Sequence, residues 1–526
     1  MSNLRNHARN LLANWIGQAS GLIVVFFMSP FVVHTLGTTS YGLWSLLNVF
    51  TGYLGVFDLG MRASTGRFVI FYVGRNDQHR VNDTLRTGLS FFSLISLLIL
   101  AVAAGVSWAF PVFFPSVPAE YHHTIRILLP LLAVNVWLSA MSGAFASILA
   151  AYDRFDLSAA VDVTITLVRT GAVIVALLSG WGILGMTVAT VASSALATVA
   201  NGWMAGRVCP GLKVWPPKLI RERLREMFSF GTASFVGNIA SMLTGQTDMV
   251  VVGTLLGVSA VTTYSIGAML VFYTGPFIGQ ICSTVFPSLQ RAVAAEDADG
   301  TRWTYIRTLK AVYIIGLPLY LGFVFFGGTF IRLWMGDGFA GAFAVMAILS
   351  VSRLVNLASG ASASLLYAKG HVWWLTTISS IVAVTNVGAS VAFVLGLHWG
   401  LAGMAAGNLA AFCAAAPFYL RHAQRTTGLR VGALARQVFL PALCAAGAFS
   451  GWCLLVRTII TARSWAWFAV QAALALLGYV LIAMWLLVSR SDRARMWKSL
   501  GLAPAAGERL APAETDLGPE RGDRHV

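Results

Sequence analysis

Trp181-Gly182-Ile183-Leu184-Gly185-Met186 recurs in the second half of the chain as Trp399-Gly400-Leu401-Ala402-Gly403-Met404. One pattern, W-G-x-x-G-M, opens two apolar stretches at corresponding places. A second alignment, at nearly the same offset, pairs Gly17 with Gly237, Leu36-Gly37 with Leu256-Gly257, Ser45 with Ser265 and Phe57 with Phe277. It also sets the amide of Gln18 opposite that of Asn238. The chain reads as a duplication, and its composition says what was duplicated.

Of 526 residues, 57% are hydrophobic and 11% are charged, and the mean hydropathy is +0.75. A soluble domain carries about 25% charged residues, so a water-soluble enzyme is excluded. Disordered chains are poor in apolar residues, so disorder is excluded except at the end. A membrane span takes about 20 mainly apolar residues. Charge-poor windows bounded by Gly, Pro or charged residues give fourteen: 11–34, 41–63, 86–110, 124–149, 157–179, 182–206, 228–254, 260–286, 308–330, 341–367, 373–396, 399–421, 437–458 and 465–488. The first is too long for a signal-peptide core and is read as a retained span.

Six spans separate the two copies, so both enter the bilayer with the same polarity. That is a parallel repeat about an axis along the membrane normal, an arrangement found in secondary transporters. The expected fold is an all-α integral membrane protein with a two-lobed bundle. An N-lobe of spans 1–6 takes residues 1–214, and a C-lobe of spans 7–12 takes 215–430. Two additional helices fall in 431–488, and a largely disordered cytoplasmic tail takes 489–526.

The charge balance is +16, from 36 Lys and Arg against 20 Asp and Glu. Arg75, Arg80, Arg154, Arg207, Lys213, Arg221, Arg291, Arg302, Arg421 and Arg425 fall on alternate connections. The positive-inside rule then places both termini in the cytoplasm. It also accounts for the basic balance without nucleic acid. Five cysteines form no CxxC pair and read as small hydrophobes. No metal-ligand spacing, no nucleophile elbow and no phosphate-binding GxxxxGK[ST] loop occurs. No cofactor is expected, and energy would come from an ion gradient or from removal of product.

The few charges inside spans matter most. An ionised group at the bilayer centre costs about 2.5–3.5 kcal/mol, so it faces a cavity or a partner. Arg169 and Arg353 sit near the middles of spans 5 and 10 and suit an anion, because guanidinium meets phosphate oxygens bidentately. A structural ion pair is the other reading. Asp162 lies two turns before Arg169, about 10 Å along the axis. Asp248 is the one formal charge between Met227 and Gln290. It is a candidate, with Asp162, for a coupling proton or sodium ion, or else a helix-end contact. Asn238, Ser241, Gly245 and Asp248 form one small, polar helix face, and Asn14, Gly17, Gln18 and Gly21 form its counterpart. Each stripe suits cavity lining or helix packing. Asp58 and Arg62 stand at i and i+4, a helix-stabilising spacing, and Arg62 with Arg67 are candidates for meeting substrate at the cytoplasmic end.

Leu36-Gly37-Thr38-Thr39-Ser40-Tyr41-Gly42-Leu43-Trp44, with Gly52-Tyr53 and Phe57-Asp58-Leu59-Gly60, resembles the start of the polysaccharide flippases of the MOP superfamily. That superfamily also holds the multidrug and toxic compound extrusion proteins and the lipid II flippases. Gln246-Thr247-Asp248, Gly253, Leu256-Gly257 and Tyr264 resemble the family's junction of spans 7 and 8. The resemblance implies a V-shaped bundle with a central cavity in the bacterial cytoplasmic membrane. It implies translocation of an oligosaccharide linked to undecaprenyl diphosphate, beside polysaccharide polymerase and glycosyltransferases. A multidrug cation exporter or a lipid II flippase is the alternative within the superfamily. A membrane-embedded polysaccharide enzyme is the alternative of another class, although the short loops leave little room for catalytic carboxylates.

Overall fold

The computed structural model describes residues 2–488 and residue 493. The side chains of residues 1–19, 232–234, 236–238, 240, 241, 243, 244 and 372 lie outside that description. So does most of the expected tail. Among the described residues every regular element is helical.

The first half contains α1 (Ser2–Gly55), α2 (Met61–Gly74), α3 (Gln78–Phe113), α4 (Glu120–Ala151), α5 (Phe155–Leu178) and α6 (Gly182–Val208). The second contains α7 (Arg221–Leu255), α8 (Val258–Ala294), α9 (Ala298–Met335), α10 (Gly341–Ala368), α11 (Val372–Leu395) and α12 (Gly400–Thr427). The short α13 (Val431–Leu434) leads to α14 (Leu440–Ile459) and α15 (Trp465–Leu486). Helices satisfy their own backbone polar groups, which a bilayer requires.

Twelve helices among the described residues are long and apolar enough to cross a membrane, against the fourteen spans expected. The difference lies in two places. α1 holds both of the first two expected spans and is interrupted at Gly37 (φ 79°, ψ 167°). α7 covers the expected seventh span; ten of its side chains lie outside the described ones, so the count of twelve does not reach it. Val199, Val384 and Leu443 are about 70% exposed. In water that would be unfavourable, but acyl chains cover such positions in a bilayer.

The duplication is visible in the backbone. α3 begins at Asp77, whose carboxylate accepts from the Arg80 amide at 3.1 Å. α9 begins at the equivalent Asp297, which accepts from the Gly300 amide at 2.8 Å. Each cap follows a left-handed residue, Asn76 (φ 55°) or Glu296 (φ 54°). The W-G-x-x-G-M pattern has a packing reason. A Cβ on Gly185 would lie 2.7 Å from the Trp181 Cβ, and one on Gly403 would lie 3.1 Å from that of Trp399. Glycine lets each helix fold tightly back on its predecessor.

Helices pack mainly within their own half: α4 on α3 and α6, α10 on α8, α9 and α12. α14 and α15 lie outside the repeat and cover α9 through Leu317, Phe326, Phe449 and Tyr479. Among the described residues, two of the contacts between the halves lie at opposite ends of the bundle. At one end Thr262 Oγ1 donates to the Thr38 carbonyl at 2.5 Å, and Gly42 packs on the Val258 carbonyl. Leu43, Leu46, Val258 and Val261 bury this contact. At the other end Ser64 Oγ donates to the Met227 carbonyl at 2.7 Å, and Gly60 rests on Gly231.

Candidate functional site

Between these two seams lies a cavity of about 1030 Å³. Pockets of about 300–1,000 Å³ hold drug-sized ligands, so this one is large. Its first-half wall comes from α1, the short turn that follows it and the start of α2, including Trp44, Asn48, Asp58 and Arg62. Its second-half wall comes from α7 and α8, including Gln246, Phe272 and Tyr273. The wall mixes aromatic faces with amides. Asn48 Nδ2 donates to the Trp44 carbonyl at 2.8 Å. Gln246 Oε1 is buried against Gly52 without a hydrogen-bond partner among the described residues.

Arg62 lines this cavity and stands 3.7 Å from Asp58. The Asp58 carboxylate also accepts from the Gly60 amide at 2.8 Å, so it fixes the turn that aims Arg62. Arg169 is exposed on α5 and within electrostatic reach of Tyr273. Arg353 comes from α10, and its guanidinium lies 5.1 Å from the Phe272 ring and 5.7 Å from that of Phe412. The two intramembrane arginines thus approach neighbouring residues of α8, one from each half. Arg353 also lines a second cavity of about 470 Å³ with Tyr320, Asn356, Ser283 and Ser364.

Asp248 is not a helix-end contact. It lies about two turns inside the end of α7 and is only 3% exposed. Tyr264 Oη donates to it at 2.7 Å, Asn408 Nδ2 at 2.7 Å and Asn386 Nδ2 at 3.1 Å. Ser390 Oγ bonds Asn386 Oδ1 at 3.3 Å and the Met404 carbonyl at 3.2 Å. Arg353 is within electrostatic reach. Helices α8, α11 and α12 therefore converge on one carboxylate of α7.

Some expected residues are not drawn in. Asp162 is exposed on α5 and forms no ion pair with Arg169 among the described residues. Arg67 stacks on Phe230 at 4.0 Å, at the seam between α2 and α7 rather than on the cavity wall. The side chains of Gln18 and Asn238 lie outside the described ones. Sequence reasoning does not pick out Asn386 or Asn408, and it reaches Gln246 only as part of a motif. Their one signal is an amide inside an otherwise apolar helix.

Residues 36–344 match the family described as polysaccharide biosynthesis protein. The chain belongs to that family. It is 22% identical over 490 residues to the membrane protein EpsK of Bacillus subtilis strain 168, covering 92% of this chain and 96% of EpsK. It is 22% identical over 355 residues to a putative O-antigen transporter of Shigella flexneri, covering 66% of this chain and 81% of that protein. Among solved structures, the lipid II flippase MurJ in an inward closed conformation aligns with a TM-score of 0.63. Sequence identity is 12%, over 87% of this chain and 99% of MurJ. An inward-facing MATE multidrug transporter of the MOP superfamily aligns at 0.61 with 15% identity, over 78% of this chain and 96% of that one. The fold is therefore the MOP transporter fold, and the chain is a multi-pass membrane protein of a polysaccharide biosynthesis family.

Proposed function

We propose that this protein carries a lipid-linked oligosaccharide, borne on undecaprenyl diphosphate, from the cytoplasmic to the periplasmic leaflet of a bacterial inner membrane. Both termini lie in the cytoplasm in this reading. The two halves, 1–214 and 215–430, rock about the cavity between them. The observation that carries it is a set of arginines about that cavity: Arg62 lines it, Arg169 is within electrostatic reach of its Tyr273, and Arg353 stands beside its Phe272. Arg62 and Arg169 come from the first half and Arg353 from the second. A diphosphate has oxygens enough for a guanidinium on each side, and the trade between them follows the rocking. The aromatic and amide wall suits sugar faces and hydroxyls. A cationic drug would meet repulsion there, which argues against multidrug export. The role is transport rather than catalysis.

The energy source in this reading is an ion gradient acting at Asp248. A buried carboxylate can take a proton directly. Alternatively, Asn386 and Asn408 can turn their amide oxygens toward a sodium ion, since each amide offers both donor and acceptor.

Depletion in a strain with no second flippase tests the main reading. Lipid-linked oligosaccharide should accumulate on the cytoplasmic leaflet, and surface polysaccharide should fall. Unchanged surface polysaccharide rejects it. Loss of viability with intact surface polysaccharide points to lipid II instead.

A further inference from the structure

The rim of the first half carries a separate cavity, of about 670 Å³. Tyr152, Arg154 and Leu157 bound it at the junction of α4 and α5, and Trp203, Met204 and Arg207 bound it at the end of α6. It shares no lining residue with the cavity between the halves. The Arg207 guanidinium lies 3.9 Å from the Trp203 ring centroid. It forms no ion pair among the described residues. Arg154 grips Asp156 through Nε at 3.1 Å and a terminal nitrogen at 3.3 Å.

The approach to this pocket is apolar. Leu184, Val188, Leu196, Val199 and Trp203 are all exposed and fall at one- or two-turn spacings along α6. They form one stripe, and the stripe ends at Arg207. In a bilayer such a stripe faces acyl chains. A tryptophan beside an arginine at its end marks the headgroup level. The repeat supplies an independent observation. At the corresponding corner of the second half, exposed Phe418 on α12 leads to Arg421 and Arg425. There the His371 and His422 rings lie 5.0 Å apart, and Lys369 Nζ donates to the Thr426 carbonyl at 2.5 Å. Aromatic and basic groups recur at the same corner although the side chains differ.

We propose that the pocket between α5 and α6 seats the phosphodiester headgroup of an anionic phospholipid, with its acyl chains along the α6 stripe. Charge complementarity selects the occupant. A guanidinium fork matches phosphate oxygens, and basic pockets between helices at the membrane surface take anionic headgroups. A zwitterionic lipid would bring a second cation against Arg207. The occupant is bulk lipid rather than the transported one, because the pocket lies apart from the central cavity. The site is independent of the transport reading.

Native mass spectrometry of the full-length protein, equilibrated with phosphatidylglycerol or phosphatidylcholine, tests this. The wild type should retain phosphatidylglycerol in preference. Arg207→Gln should weaken that retention about five-fold, with phosphatidylcholine retention and thermal midpoint unchanged. Arg207→Lys should recover part of the loss. Added undecaprenyl diphosphate should not displace the bound phospholipid. Equal retention of the two phospholipids by the wild type, unchanged phosphatidylglycerol retention in Arg207→Gln, or one-for-one displacement by undecaprenyl diphosphate would each overturn the proposal.

Discussion

Gly37 and Gly257, equivalent positions of the two halves, hold nearly the same backbone conformation: φ 79° and ψ 167° in one, φ 93° and ψ 163° in the other. This region is open essentially to glycine alone. The two residues reverse the chain at the end where Thr38 and Gly42 of α1 pack against Val258 and Thr262 of α8. Thr38 is the repeat equivalent of Val258, and Gly42 that of Thr262, so the seam relates the halves by local two-fold symmetry. Alanine at Gly37 or Gly257 should cost about 1–3 kcal/mol through backbone strain. A Cβ on Gly37 meets nothing within 4 Å, and one on Gly257 makes only an ordinary contact with Ser116 at 3.5 Å. Thermal unfolding of Gly37→Ala and Gly257→Ala should show equal, modest destabilisation; no change in either would contradict the strain.

Asp248 separates two effects. Asp248→Asn keeps the volume and a hydrogen-bond acceptor, so folding should be near normal while ion-driven transport is lost. Asp248→Ala strands three donors, from Tyr264, Asn386 and Asn408. Each stranded donor costs about 1–3 kcal/mol, so this variant should unfold much more readily. Transport in vesicles under imposed proton and sodium gradients, beside melting curves, distinguishes the two. Full gradient dependence in Asp248→Asn removes Asp248 as the coupling group.

Arg169 and Arg353 approach Tyr273 and Phe272 from opposite halves. If both hold the diphosphate, each change to Gln should weaken binding about ten- to hundred-fold, the scale of a charge-assisted hydrogen bond. Binding of undecaprenyl diphosphate to the purified variants measures this. Arg67→Gln is the control, because Arg67 stacks on Phe230 away from the cavity wall. Weakening by Arg67→Gln as large as that by Arg353→Gln would argue against the assignment.

Tyr72 ties the halves at the other seam. Its hydroxyl accepts from Arg223 at 2.7 Å and donates to Glu226 at 2.9 Å. Burial, and then the Glu226 carboxylate, push the phenol above its ordinary value. A raised folded-state pKa means that the stabilisation is fully present below the unfolded value of about 10 and is lost as pH rises through the folded one. Melting temperatures between about pH 9 and pH 12 should fall more steeply in the wild type than in Tyr72→Phe. Parallel curves would mean that the hydroxyl contributes nothing to the seam.

Much of the fold is legible without coordinates. Apolar windows of span length occur because a bilayer demands them, and repeated motifs keep their spacing because each glycine answers a local backbone or packing need. Gly185 and Gly403 illustrate this: the close approach they allow involves residues only a few positions away. The span count is less legible. The break at Gly37 falls inside one continuous helix, so the end of the first span and the start of the second blur together.

Periodicity, hydropathy and glycine placement suffice to mark this chain as a duplicated, helical membrane protein, because each acts over one or two helical turns. They also single out Asp248, Arg169 and Arg353, because a charge among apolar neighbours stands out locally. What those charges meet is set by the packed molecule. Asp248 meets Asn386 and Asn408 from distant parts of the chain, and Arg67 turns to Phe230 while Arg62 turns to the cavity. Partners supplied by other helices depend on how the helices cross, and no short-range pattern records that.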